Sequence, residues 1–288
     1  MDKVIKIVKS VLGEKVKNII PLNSGIISKS YFFDTDKKKY VIRFSNKKTD
    51  FEKDLYAYNN FASVGLPIPK IIKNGVVGKN EYYSVSERCV GNIIDDLPDS
   101  FQYKLLPQVV KLQYYIKSVK IDINLGFGLW SNGKAVFKTW KTYLLDVEDK
   151  ARLFIPEVDQ GNIMAIFKIL KANVKYLPND TYLIHGDLGF NNVLSDGKSL
   201  TGIIDWGDSK YGDFVYDIAW LIFWASEIPY YELFKNYYKS QNDEIDNYEE
   251  RVNCYLCHIG LMLMIFFTKS MNYNDYSWVS KKLAKSFV

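Results

Sequence analysis

The sequence predicts an α+β fold in two lobes, a small antiparallel β-sheet lobe over residues 1–88 and a larger, mainly helical lobe over residues 89–288. Between Ile19 and Arg88, short apolar runs alternate with charged or glycine-containing turns, the pattern of antiparallel hairpins. Beyond Gly91 the apolar residues recur at the three- and four-residue spacing of helices. The 288 residues are 48% hydrophobic and 25% charged, enough to bury one large core or two modest ones and unlike a disordered chain.

An amphipathic helix opens the chain, because Val4, Ile5, Ile7, Val8, Val11, Leu12 and Val16 fall on one face with lysines between them. Extended runs follow at 30–33, 40–44, 70–72 and 82–86. The turns Asp34-Thr35-Asp36-Lys37 and Asn74-Gly75 separate them. One helix, over 50–63, interrupts the sheet before Leu66-Pro67-Ile68-Pro69. Helices are then predicted over 98–118, 137–149, 160–176, 211–225, 229–240, 245–269 and 274–286, with Ser131-Asn132-Gly133 as an ordinary loop. Tyr182-Leu183-Ile184, Val193-Leu194 and Gly202-Ile203-Ile204 read as short buried strands.

Composition narrows the function classes. The net charge of +5 comes from lysines scattered as pairs and triplets, such as Lys37-Lys38-Lys39, and not from a basic arm, which argues against nucleic acid as a partner. No apolar stretch of about 18 residues is expected, Leu261 to Phe267 reading as the buried side of a helix, so no membrane span is predicted. The charged N-terminus lacks an export signal, which points to the cytoplasm. Cys254, Cys257 and His258 spell the haem-attachment pattern, but they sit in an apolar helical run and read as buried packing groups. No obligatory protein partner is evident.

Two segments carry chemistry. The run His185-Gly186-Asp187-Leu188-Gly189-Phe190-Asn191-Asn192 fits the kinase loop pattern H-x-D-x-x-x-x-N, and Ile203-Ile204-Asp205-Trp206 follows thirteen residues after Asn192. In that pattern Asp187 receives the attacking hydroxyl's proton. Asn192 and Asp205, next to short strands, supply the hard oxygen donors that Mg²⁺ prefers when it also binds nucleotide phosphates. Each segment alone is a weak signal; their combination is specific.

Together with Tyr40-Val41-Ile42-Arg43, Phe61-Ala62-Ser63, Leu66-Pro67-Ile68-Pro69 and Tyr211-Gly212-Asp213, these segments resemble the aminoglycoside phosphotransferase family, which has a protein-kinase-like bilobal fold. The resemblance covers most of the chain and is greatest to the hygromycin B phosphotransferases. It implies an enzyme that moves the γ-phosphoryl of ATP or GTP, with Mg²⁺, to a hydroxyl of a small cationic aminoglycoside, conferring antibiotic resistance. By position it implies Asp187 as catalytic base and Asn192 and Asp205 as magnesium ligands. Arg43 would meet the nucleotide phosphates in place of the commoner strand lysine, paired with Asp54 or Glu52. Ser24 and Ser28 would cover the phosphates from their loop, and the hinge around Glu87 and Cys89 would meet the nucleobase.

The same resemblance implies that Asp208 contacts the acceptor, and a cationic acceptor calls for further carboxylates, for which Glu227, Glu232, Asp243, Glu244, Asp246, Glu249 and Glu250 are candidates, with Trp206, Trp220, Trp224 and Tyr230 as either pocket wall or core. His185, Asp213 and Asp217 are expected to be architectural. Kinases of choline, homoserine, methylthioribose or macrolides share the two central motifs, so the acceptor class stays open. The reading from another class is a non-catalytic nucleotide-binding module, against which the intact Asp187, Asn192 and Asp205 stand.

Overall fold

The computed structural model describes residues 1–22 and 29–286. Its elements run α1 (Asp2–Leu12), β1 (Lys17–Leu22), β2 (Lys29–Asp34), β3 (Lys39–Ser45), α2 (Lys48–Phe61), β4 (Ile71–Gly78), β5 (Glu81–Glu87), β6 (Asn92–Ile93) and α3 (Asp99–Lys117). Next come β7 (Phe127–Ser131), β8 (Lys134–Phe137), α4 (Trp140–Leu145), α5 (Val147–Phe154), α6 (Gln160–Asn173), β9 (Tyr182–Ile184), β10 (Val193–Ser195) and β11 (Leu200–Ile203). The chain finishes with β12 (Lys210–Gly212), α7 (Val215–Trp224), α8 (Tyr230–Ser240), α9 (Tyr248–Lys269) and α10 (Tyr273–Ser286). Antiparallel sheets and helices in this order make the predicted α+β architecture.

The backbone groups into two compact units. The first holds Met1–Tyr115, Ser131–Gly133 and Phe190–Ser209, and so extends past residue 88. The reason is strand pairing: β6 hydrogen-bonds to β10, which pairs in turn with β11. Its larger sheet has the order β1-β2-β3-β5-β4, antiparallel throughout. Along β3 the side chains alternate, so Tyr40, Ile42 and Phe44 share a face and join Val4 and Val8 of α1, Phe33 and Val85 in one apolar cluster. Arg43 therefore stands on the other face, where its guanidinium lies 5.2 Å from the centre of the Phe51 ring on α2.

Local details depart from the sequence reading for identifiable reasons. The first helix stops at Leu12 because Gly13 turns left-handed, φ 66, and donates its N–H to the Lys9 carbonyl at 3.0 Å. Asn74-Gly75 is no turn; both lie inside β4, where a Cβ on residue 75 would sit 2.4 Å from the Tyr83 ring. The turn falls instead at Lys79-Asn80, with Asn80 at φ 58.

The second unit holds Ile116–Trp130, Lys134–Gly189 and Lys210–Val288, and carries a four-stranded sheet of order β8-β7-β12-β9 that the helical reading of this half missed. Asn132 and Gly133, at φ 49 and 77, form the tight hairpin turn joining β7 to β8, for which Asn-Gly is the usual pair. The helix expected from residue 211 begins at Val215, because Lys210–Gly212 pair with β7 and β9 and the Trp140 ring packs where a Cβ on residue 212 would be.

The main core of this unit forms around α9, which packs against α5, α6, α7 and α10. By length and composition α9 could cross a membrane, which corrects the expectation that no such stretch exists. Most of it is buried inside the protein, with Val252, Ile259, Leu261 and Met264 in the core. Cys254, Cys257 and His258 are buried on the same helix, as their sequence context predicts. Trp206 and Tyr230 are core residues in their respective units, whereas Trp224 is 42% exposed.

In the first unit Gly91 has φ 89, and a methyl group added there would lie 1.9 Å from the Ser195 carbonyl oxygen. Gly91→Ala is expected to lower the unfolding free energy by about 2–4 kcal/mol, from left-handed strain and backbone overlap together. A denaturant titration with an unchanged midpoint would contradict that close approach.

Candidate active site

Asn192 and Asp205 are brought together by a hairpin. β10 and β11 pair through Val193↔Ile203 and Leu194↔Gly202, and the Ile204 N–H reaches the Asn192 carbonyl at 3.0 Å, carrying the pairing one step further. Asp205 is the next residue. Asn192 is buried and Asp205 exposed, so a carboxamide and a carboxylate stand at the paired end of adjacent strands. These hard oxygen donors suit Mg²⁺, which needs few protein ligands when phosphates and waters complete its octahedron. Among the described residues no group of three or more His, Cys, Asp or Glu is placed to hold a metal ion by itself.

Asp205 departs from its strand in the left-handed conformation, φ 64 and ψ 68, which the short polar side chain of Asp tolerates better than most. The following turn is closed by Ser209, whose N–H and Oγ both donate to the Trp206 carbonyl at 3.0 and 2.6 Å. Trp206 itself is fully buried, with its ring 6.3 Å from that of Phe61. Its N–H donates to Asp54 Oδ1 at 2.9 Å.

Asp54 has a second partner. Its Oδ2 accepts from the Arg43 guanidinium, while Glu52 is paired with Lys48 one turn back at 2.6 Å, so Asp54 is the counter-ion of Arg43. Burial disfavours the charge on Arg43, but the carboxylates of Asp54 and Asp205 outweigh it and raise the guanidinium pKa above its ordinary value. Arg43, Asp54, Asp205 and Asn192 thus belong to one connected set within the first unit.

The sequence reading missed Asp50, one helical turn before Asp54. A Cβ on Gly207 would lie 3.3 Å from Asp50 Cγ and 3.4 Å from Asp205 Oδ1, so both carboxylates flank the same glycine. Burial raises the Asp50 pKa; Lys47 pulls it down, and Asp205, Asp208 and Asp54 add to the rise. The signal available in sequence was the i, i+4 spacing of Asp50 and Asp54 on α2, which puts two acids on one face.

The kinase-like loop is anchored in the second unit. Directly after β9, the N–H groups of His185 and Gly186 donate to the two oxygens of Asp217 on α7, each at 2.8 Å. Burial pushes the Asp217 carboxyl up to about 6, against the pull of these two donors. His185 is completely buried and its Nδ1 faces the Asp187 N–H at 3.4 Å, a structural placement. Gly186 takes φ 85, and Asp187 is half-buried at the bend that follows. Asp213 does not occupy the N-cap position of α7, which falls to Phe214. Its carboxylate accepts from Val215 N–H at 3.1 Å, from Arg251 Nε at 2.8 Å and from the Tyr255 hydroxyl.

The remaining predicted residues are scattered. The Glu87 carboxylate is paired with Lys38 at 2.6 Å, and the Cys89 thiol packs onto Gly202, with burial pushing its pKa up to about 11. Asp208 is exposed at the end of the turn after Asp205, and Glu227 is exposed between α7 and α8. Asp243, another acid considered for the acceptor, is paired with Lys117. Ser24 and Ser28 lie outside the described residues.

Comparisons with known proteins identify relatives of the chain. A model of the phosphotransferase enzyme family matches residues 18–250. A curated relative, hygromycin-B 4-O-kinase of Escherichia coli, is 26% identical over 270 residues, spanning 92% of this chain and 79% of its own. Among solved structures, a thermostable mutant of aminoglycoside phosphotransferase APH(4)-Ia in ternary complex with AMP-PNP and hygromycin B superimposes with a TM-score of 0.85. It is 25% identical, over 98% of this chain and 97% of that one. The GDP complex of wild-type aminoglycoside 2'-phosphotransferase-IIIa, 17% identical over 97% of this chain and 96% of its own, shares the fold with a TM-score of 0.70. With a family match spanning most of its length and the kinase-like loop in place, the chain belongs to the phosphotransferase enzyme family.

Proposed function

We propose that the chain transfers the γ-phosphoryl group of ATP or GTP to a hydroxyl of an aminoglycoside antibiotic, hygromycin B first among them, and thereby confers resistance. The observation that carries this reading is the connected set Asn192, Asp205, Asp54 and Arg43, together with a catalytic loop held by Asp217. Support for the acceptor comes from the E. coli relative named for hygromycin B and from the APH(4)-Ia complexes that contain it with AMP-PNP or ADP. A nucleoside triphosphate donor implies action in the cytoplasm.

In this reading Asp205 and Asn192 would hold Mg²⁺, which when bound would neutralise negative charge on the nucleotide phosphates. Arg43 offers a two-pronged guanidinium to phosphate oxygens, kept charged and oriented by Asp54. The main chain at Glu87 and Cys89 meets the nucleobase. Asp187 accepts the proton of the acceptor hydroxyl as its oxygen bonds to the γ-phosphorus and the bond to the β-phosphate oxygen breaks. Asp208 and Glu227, both exposed, are the carboxylates assigned to the cationic acceptor.

Asp187→Asn is expected to keep nucleotide affinity within a few-fold while turnover falls by about 10²- to 10⁴-fold, the range for a positioned acid or base. Unchanged turnover would remove Asp187 from the mechanism. Asp205→Ala should abolish magnesium-dependent nucleotide binding in calorimetry, and tight Mg·ATP binding by that variant would contradict the assignment. In a thermal-shift screen with nucleotide present, hygromycin B or another aminoglycoside should raise the melting temperature. A response only to choline, homoserine, methylthioribose or a macrolide would transfer the reading to that acceptor.

A further inference from the structure

A buried lysine of α2 reaches the turn that follows Asp205. Lys53 is 7% exposed, and its Nζ donates to the carbonyl oxygens of Gly207 and Ser209, both at 2.9 Å. The adjacent Asp54 meets the same turn with the opposite polarity, accepting from the Trp206 N–H. Two consecutive helix residues therefore grip three main-chain groups of the four residues 206–209. Taking an ammonium out of water costs several kcal/mol unless its donors are met, so a residue serving packing alone would more cheaply be a methionine or leucine. The donors of Lys53 are what this position uses.

What they hold bears on Asp205. Its left-handed backbone lies in a sparsely populated region for a residue with a side chain, which is strained and persists only where neighbours enforce it. Gly207, whose carbonyl Lys53 grips, is also the residue beside the Asp205 carboxylate, since a Cβ there would stand 3.4 Å from Asp205 Oδ1. Fixing the Gly207 peptide thus fixes the surface against which that carboxylate rests.

We propose that Lys53 is a positioning residue: by anchoring the carbonyls of Gly207 and Ser209 it holds the Asp205 carboxylate in the direction from which it binds the nucleotide's magnesium. This rests on the magnesium role assigned to Asp205 above. Lys53 acts through Asp205.

The test uses the full chain and calorimetry of ADP binding with and without Mg²⁺, for the wild type, Lys53→Met and Lys53→Arg. Lys53→Met should weaken ADP binding at least tenfold in the presence of Mg²⁺ while changing metal-free ADP affinity less than twofold. Its magnesium requirement for activity should rise by a similar factor with the acceptor KM within twofold, and Lys53→Arg, which keeps donors, should recover most of the loss. A Lys53→Met protein with the wild-type magnesium dependence overturns the proposal even if it melts earlier, and so does equal weakening of metal-free and metal-bound ADP. Should Lys53→Met not fold, Lys53→Gln is judged by the same two criteria. Wild-type ADP affinity that ignores Mg²⁺ would sink the assignment of Asp205 itself, and this inference with it.

Discussion

The carboxylate of Asp54 is the constraint on which the rest of the first unit's site depends. One oxygen accepts from the Arg43 guanidinium and the other from the Trp206 N–H, so a single buried group joins β3, α2 and the turn after Asp205. Such a group is costly to bury and costly to orphan: removing one partner of a buried ion pair loses about 3–5 kcal/mol, because the remaining charge is stranded. The shortness of aspartate matters here. A side chain this close to its helix can serve both partners only if α2 lies against the sheet, and the Asn74 amide secures that seating by donating to the Phe51 carbonyl at 2.6 Å.

The second unit uses the same device twice. Asp217 receives two consecutive main-chain N–H groups of the loop that carries Asp187, and Asp213 receives Arg251, the Tyr255 hydroxyl and a helix N–H. Trp140 Nε1 extends the latter network by donating to the Tyr255 oxygen at 3.0 Å. In both units a buried carboxylate orders a loop through backbone donors. Side chains on these loops are thereby placed by carboxylates that stay in the interior.

Much of this was legible in the chain. The alternation of Tyr40, Ile42 and Phe44 already puts Arg43 on the opposite face of β3, and the loop and strand motifs place Asn192 and Asp205 at strand ends. Other features were hidden for physical reasons. A lysine on a helix reads as a solvated group, and nothing local announces that the Lys53 ammonium is met by carbonyls more than 150 residues away. Asn-Gly at 74–75 and at 132–133 has identical spelling, yet only the second is a turn, because the Tyr83 ring needs the space beside Gly75. The short strand β12 carries too few residues to show a period, and tertiary pairing alone makes it a strand.

Arg43 on β3 has one more consequence. A guanidinium stays protonated at any pH a protein survives and is a poor nucleophile, whereas the ε-amine usual at such a strand position reacts with acylating and sulfonylating reagents. Electrophilic nucleotide analogues built to label that amine meet a guanidinium at position 43, and the nearby Lys53 ammonium is shielded and already bonded. A covalent inhibitor of this enzyme therefore needs a different point of attachment, and compounds that silence lysine-bearing kinases by that route would leave it active.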